Sequence, residues 1–94
     1  MDINELTITW QDDEGKQIIK ELDKEILTKG AWATIMYLYQ TMDKATGEYS
    51  EPQVRIVRYK KSKDSYFANS KFNISGRKQA YQIMEQLQKW YPES

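Results

Sequence analysis

The sequence predicts an α+β domain: an antiparallel β-meander of four to five strands with one C-terminal amphipathic helix packed on the sheet. Three observations carry that reading. Apolar and polar residues alternate through much of the first two thirds of the chain, the period of strands. Turn-forming clusters punctuate the alternation at Asp12-Asp13-Glu14-Gly15, at residues 43–51 and at residues 62–65. After Ser75 the apolar spacing changes to three and four residues, the repeat of a helix.

In residues 6–10, Leu6, Ile8 and Trp10 fall on one side of a strand and Thr7 and Thr9 on the other. The acidic turn then returns the chain as a second strand from Lys16 to Glu21. A helix over residues 16–27 is the competing reading, because Ile18, Ile19, Leu22 and Ile26 also fit a 3.6-residue repeat. The hairpin is preferred. Residues 31–42 form the clearest strand, with Trp32, Met36, Leu38 and Met42 on one face and Ile35, Tyr37 and Tyr39 on the other. Two apolar faces imply cover on both sides, or cover on one and binding on the other.

Pro52 stands where a strand can begin but not continue, and residues 53–61 follow as a strand. Val54 and Ile56 point one way while Val57 and Tyr59 point the other, so a bulge near Ile56 and Val57 is expected. Residues 66–72 make another strand. Ser75 is the expected N-cap of the helix; Ala80, Ile83, Met84, Leu87, Trp90 and Tyr91 draw its apolar stripe, and Pro92 stops it. No repeat, linker or low-complexity tract divides residues 1–94, which read as a single domain.

The chain has no Cys and no His. Disulfides, thiolate nucleophiles and Cys-containing zinc sites are excluded, along with the commonest general base and metal ligand. Asp12, Asp13 and Glu14 are solvated turn residues without a partnering base. No catalysis, metal or cofactor is expected. The acidic start has neither a basic segment nor an apolar one after it, and no apolar run approaches the roughly 20 residues of a membrane span, so a soluble cytoplasmic protein is expected.

Fourteen Lys and Arg balance fourteen Asp and Glu, but unevenly: residues 1–30 carry −4, residues 31–53 carry −2 and residues 54–94 carry +6. A basic module of this kind meets either an anionic partner or the acidic half of the same fold or of a second copy. The stretch holding Arg55, Arg58, Tyr59, Lys60 and Lys61 interleaves cations with an aromatic ring, and Arg55, Tyr59 and Lys61 share a strand face, suiting a nucleic-acid backbone with a stacking platform. Tyr66 and Phe67 also lie beside cations. The bland reading of these lysines is a guarded strand edge. Arg77 and Lys78 occupy the first helical turn, where acids are favoured by ~0.3–1 kcal/mol per charge. With Ser75, Gly76, Lys71 and Asn73 they suit an anion, though two exposed side chains at small cost would look the same.

The runs KGAWATIMYLYQTMD, PQVRIVRYKK and SKFNIS, followed by an amphipathic helix, resemble a family of small bacterial proteins; that likeness covers residues 28–91 and implies no activity. The layout is also similar to the transcriptional positive-cofactor family of single-stranded-DNA-binding proteins. In that family VRIVRY would take the place of a DIR-like strand and KFNIS that of a K-G-I-x-L segment, whose glycine is missing here. The resemblance implies a homodimer joined through the helix and curved sheets that present basic and aromatic residues to unpaired strands. It carries over to Arg55, Arg58, Lys60 and Lys71.

Together these readings point to a non-catalytic module that binds single-stranded nucleic acid through Arg55, Arg58, Tyr59, Lys60, Lys61, Lys71, Arg77 and Lys78. A homodimer through the C-terminal helix is expected, because Trp90 and Tyr91 extend a stripe that a small sheet seldom hides. The alternative is a homodimeric interaction or structural module whose basic half meets an acidic one.

Overall fold

The computed structural model describes residues 3–93; Met1 and Asp2 of the acidic start, and Ser94, lie outside the described residues. In order, the chain forms a short 3-10 turn (Ile3–Glu5), β1 (Trp10–Gln11), β2 (Gln17–Thr28), β3 (Trp32–Thr41), β4 (Gln53–Ser62), β5 (Ser65–Ile74) and α1 (Arg77–Trp90). The five strands make one antiparallel sheet in sequence order, so the α+β meander with a C-terminal helix is what the chain adopts. No helix among the described residues is long and apolar enough to cross a membrane.

Strict alternation in β3 divides the sheet into two unlike faces. Ala33, Ile35, Tyr37 and Tyr39 are buried on one, joined across the β4 register by Val57 and Tyr59. The N-terminal segment lies over this face as a strap and adds Ile3 and Leu6 to the buried cluster, with Ile8 packed against it. The other face carries Trp32, Met36 and Leu38 of β3 beside Lys60, Ile56 and Val54 of β4, and it stays open.

Several expectations change in detail. Residues 6–9 do not pair as a strand; β1 is confined to Trp10 and Gln11. The threonines there bond through their side chains instead: Thr7 Oγ1 donates to Glu21 Oε1 at 2.6 Å and Thr9 Oγ1 accepts from the Glu21 amide at 3.2 Å. That frees the strap to turn Leu6 and Ile8 into the core.

Residues 16–27 lie in strand β2 or its approach, and the helical spacing of Ile19, Leu22 and Ile26 comes from the first of two bulges. Leu22 and Leu27 are the extra residues, each set between neighbours that pair normally with β3, and both are exposed. The first bulge also places Glu21 and Lys24 on the same face. Lys24 Nζ there donates to the carbonyls of Asn4 and Leu6 at 2.7 and 2.6 Å and ties the strap down.

The bulge expected at Ile56 and Val57 is absent from β4, whose alternation is regular because each of its faces is apolar in its own right. It occurs on the neighbouring strand, where Ser70 pairs with Arg58 and Ala68 with Tyr59, leaving Asn69 as the extra residue of β5.

The helix meets the sheet mainly at its own beginning. Ala80 and Arg77 border a cleft with Leu38, Val54 and Ile74 on the open face, and no residue of α1 is buried. Only Ser75 and Gly76 separate β5 from α1, and Gly76 is extended (φ 169°). The N-cap is Gly76 rather than Ser75; the amide and hydroxyl of Ser75 both donate to Gln79 Oε1, at 2.6 and 3.0 Å. The radius of gyration, 15.4 Å, exceeds the roughly 12 Å of a globular domain of this length, and the molecule is 18 Å across its thinnest axis. A single sheet with a strap on one side accounts for both values.

Candidate functional site

On the open face, pairing register arranges side chains in rows that run across β3, β4 and β5. The first row is Trp32, Lys60 and Phe67; the second is Thr34, Arg58 and Ser70; the third is Met36, Ile56 and Phe72; the fourth is Leu38, Val54 and Ile74. Strands stand ~4.8 Å apart, so Trp32 and Phe67 are separated by about 10 Å with Lys60 between them. The first two rows are cationic and aromatic. The last two are apolar.

The cations of the first two rows converge on one ring. Arg58 lies over Trp32 with its guanidinium carbon 4.4 Å from the ring centroid, and the Lys60 ammonium lies 5.4 Å from the same centroid. Each contact is worth about 0.5–1 kcal/mol at an exposed site, enough to bias these long side chains toward the indole. Trp32 is 38% exposed and Phe67 is 59% exposed, so both rings remain accessible. An indole flanked by two cations, with a second ring one row-width away, can stack unpaired bases while the cations meet phosphates.

The eight basic and aromatic candidates do not form one surface. Arg58 and Lys60 point to the open face, whereas Arg55, Tyr59, Lys61 and Lys71 point to the face that carries the strap, because alternate residues of a strand diverge. Arg55 is engaged within the fold: its Nε donates to Asn73 Oδ1 at 2.7 Å and its guanidinium lies over Tyr39. Lys61 lies over Tyr66, 5.8 Å from the ring centroid. Lys71 is exposed opposite Val57.

Tyr59 is 6% exposed and its hydroxyl meets that of Tyr37 at 2.8 Å. It is a core residue, and stacking on a base is not open to it. Burial raises its phenol above the ordinary value, and burial with the Tyr59 hydrogen bond raises Tyr37 much further. Arg77 and Lys78 are exposed on the first turn of α1, at the fourth-row end of the open face. Lys71 and Asn73 lie on the opposite side of the sheet, so the anion seat expected at the helix start lacks two of its members.

Sequence reasoning missed Trp32 as a partner of the basic strand. The signal was present in the connection between the strands: a hairpin centred on Thr46 in the 43–51 loop pairs position 32 with position 60. Comparison of the chain with protein-family models, curated proteins and solved structures finds no match.

Proposed function

We propose that the chain is a non-catalytic cytoplasmic module that binds single-stranded nucleic acid on the open face, through Trp32, Arg58, Lys60 and Phe67. The observation that carries this reading is the first cross-strand row, in which one cation stands between two accessible rings and a second cation covers the same indole. Exposed stacking rings beside phosphate-binding cations suit single strands, whose bases are free to leave the helix. Anisotropy of a labelled oligo-dT tests the proposal: binding is expected at low salt, weaker by ~1–3 kcal/mol for each of Trp32→Ala and Phe67→Ala. No binding at low salt and tens of micromolar protein would overturn it.

A second reading is favoured by the helix. Trp90 and Tyr91 are 68% and 78% exposed at the end of a stripe whose Met84 and Leu87 are also exposed, which supports a homodimer with α1 at its interface. Dimerisation is compatible with strand binding because the first row lies at the far end of the open face from the helix start. If oligonucleotides do not bind, a homodimeric interaction module is the function that remains.

A further inference from the structure

We infer that the strand taken on the open face is RNA rather than DNA, and that Thr34 and Ser70 recognise the ribose 2′-hydroxyl. This rests on the reading of the open face as a single-strand site and names the sugar that the site selects. Thr7, Thr9, Thr28, Thr41 and Thr46 all bond through their hydroxyls within the fold. Thr34 is the exception. Neither its hydroxyl nor that of Ser70 has a hydrogen-bond partner among the described residues, although both stand in paired strands on either side of Arg58.

Register sets the spacing of this second row. The Lys61 amide donates to the Ala31 carbonyl at 2.8 Å, so Ala33 and Tyr59 form the next ladder-bonded pair and Thr34 and Arg58 a pair without ladder bonds, the kind with Cα atoms ~4.5 Å apart and side chains closest. Arg58 and Ser70 then exchange ladder bonds, with Cα atoms ~5.5 Å apart. The row lies two residues along β3 from Trp32, about 7 Å away. Trp32 begins β3, so the first row has a neighbouring row on one side only, and beyond the second row the face is apolar. With bases on Trp32 and Phe67, the backbone that joins them is met within the sheet by the second row, where Arg58 takes a phosphate and a hydroxyl stands on each side of it.

The chemistry of the row matches ribose. A Ser or Thr hydroxyl both donates and accepts, and so does a 2′-hydroxyl, the group by which a protein tells RNA from DNA. Deoxyribose presents only carbon and hydrogen at that position. Ser70 is exposed and Thr34 half-buried, so DNA strands no polar group when it binds, and the discrimination is correspondingly modest.

Anisotropy with labelled oligo-rU and oligo-dU of equal length, at one salt concentration, isolates the sugar because the base is the same in both. The wild-type protein is expected to bind oligo-rU about three- to tenfold more tightly. Thr34→Val with Ser70→Ala keeps size and charge, and is expected to bring oligo-rU to the affinity of oligo-dU while oligo-dU affinity and the salt dependence of both stay unchanged. Ser70→Ala alone, on the exposed edge strand, is expected to lose part of the preference without touching the packing of β3. Equal affinities in the wild type, or preference for oligo-dU, overturn the inference. So does a double variant that loses both oligonucleotides equally, which would put the hydroxyls on phosphates. All of these leave the strand site standing, whereas failure of both oligonucleotides to bind at low salt overturns the site and the inference together.

Discussion

The hydroxyls of Tyr37 and Tyr59 meet at 2.8 Å inside the covered face, and either can donate. Tyr37 is fully buried, so its polar tip depends on this one neighbour in the adjacent strand. Tyr59→Phe is expected to destabilise the fold by about 1–3 kcal/mol by leaving a buried hydroxyl unpaired. Tyr37→Phe with Tyr59→Phe should lie closer to wild type than that single variant, because no polar group is then stranded. Urea denaturation of the variants checks the order.

The same pair is expected to lower stability at alkaline pH. Burial raises both phenols, with Tyr37 the more strongly shifted. Unfolded tyrosine ionises near pH 10, so the unfolded chain releases these protons first as pH rises. Their contribution is full below about pH 10 and is lost progressively on going toward the higher folded values. Thermal melts from pH 9 to 11.5 should show the decline, and the double Phe variant should flatten it.

Lys24 holds the N-terminal strap through the carbonyls of Asn4 and Leu6. Lys24→Met keeps the aliphatic stem but removes both charge-assisted bonds, with an expected loss of about 1.5–3 kcal/mol. Hydrogen exchange should show the loss concentrated in residues 3–9 and in the β2 edge. Uniformly unchanged protection would mean that apolar contacts of Ile3 and Leu6 suffice.

The β4 to β5 turn carries a backbone inconsistency that can be relieved. Lys63 has φ 58°, the one positive φ among the described non-glycine residues. It takes the first central position of a two-residue turn between paired Ser62 and Ser65, where glycine is preferred. Lys63→Gly is expected to stabilise the protein by about 0.5–1 kcal/mol after the entropy of glycine is deducted. An increase in the denaturation midpoint would show it.

Much of the meander was legible in the sequence because alternation is a local property. Ile35, Tyr37 and Tyr39 separate from Trp32, Met36 and Leu38 whatever the rest of the chain does. The strap was not legible, because Leu6, Ile8 and Trp10 alternate equally well in a strand or in a segment pinned through Thr7 and Thr9. The bulge at Leu22 imitates a helical repeat for the same reason that it interrupts a strand: it inserts one residue between Ile19 and Ile26. The candidate site was half legible. Cations on β4 were identified, but which of them face a ring is decided by register, which brings Trp32 to Lys60 across the sheet and turns Tyr59 into the core.

The most direct test of the open-face site is the salt dependence of oligo-dT affinity in two paired variants. Arg58→Gln with Lys60→Gln removes the cations over Trp32; Lys61→Gln with Lys71→Gln removes equal charge from the other face. On single strands each neutralised phosphate contributes about 0.7 to the log–log slope, so the open-face pair is predicted to lower the slope by up to about 1.4 and to weaken binding. The Lys61 and Lys71 pair is predicted to leave the slope nearly unchanged. Equal reductions in both variants, or a larger one in the Lys61 and Lys71 pair, would contradict the assignment.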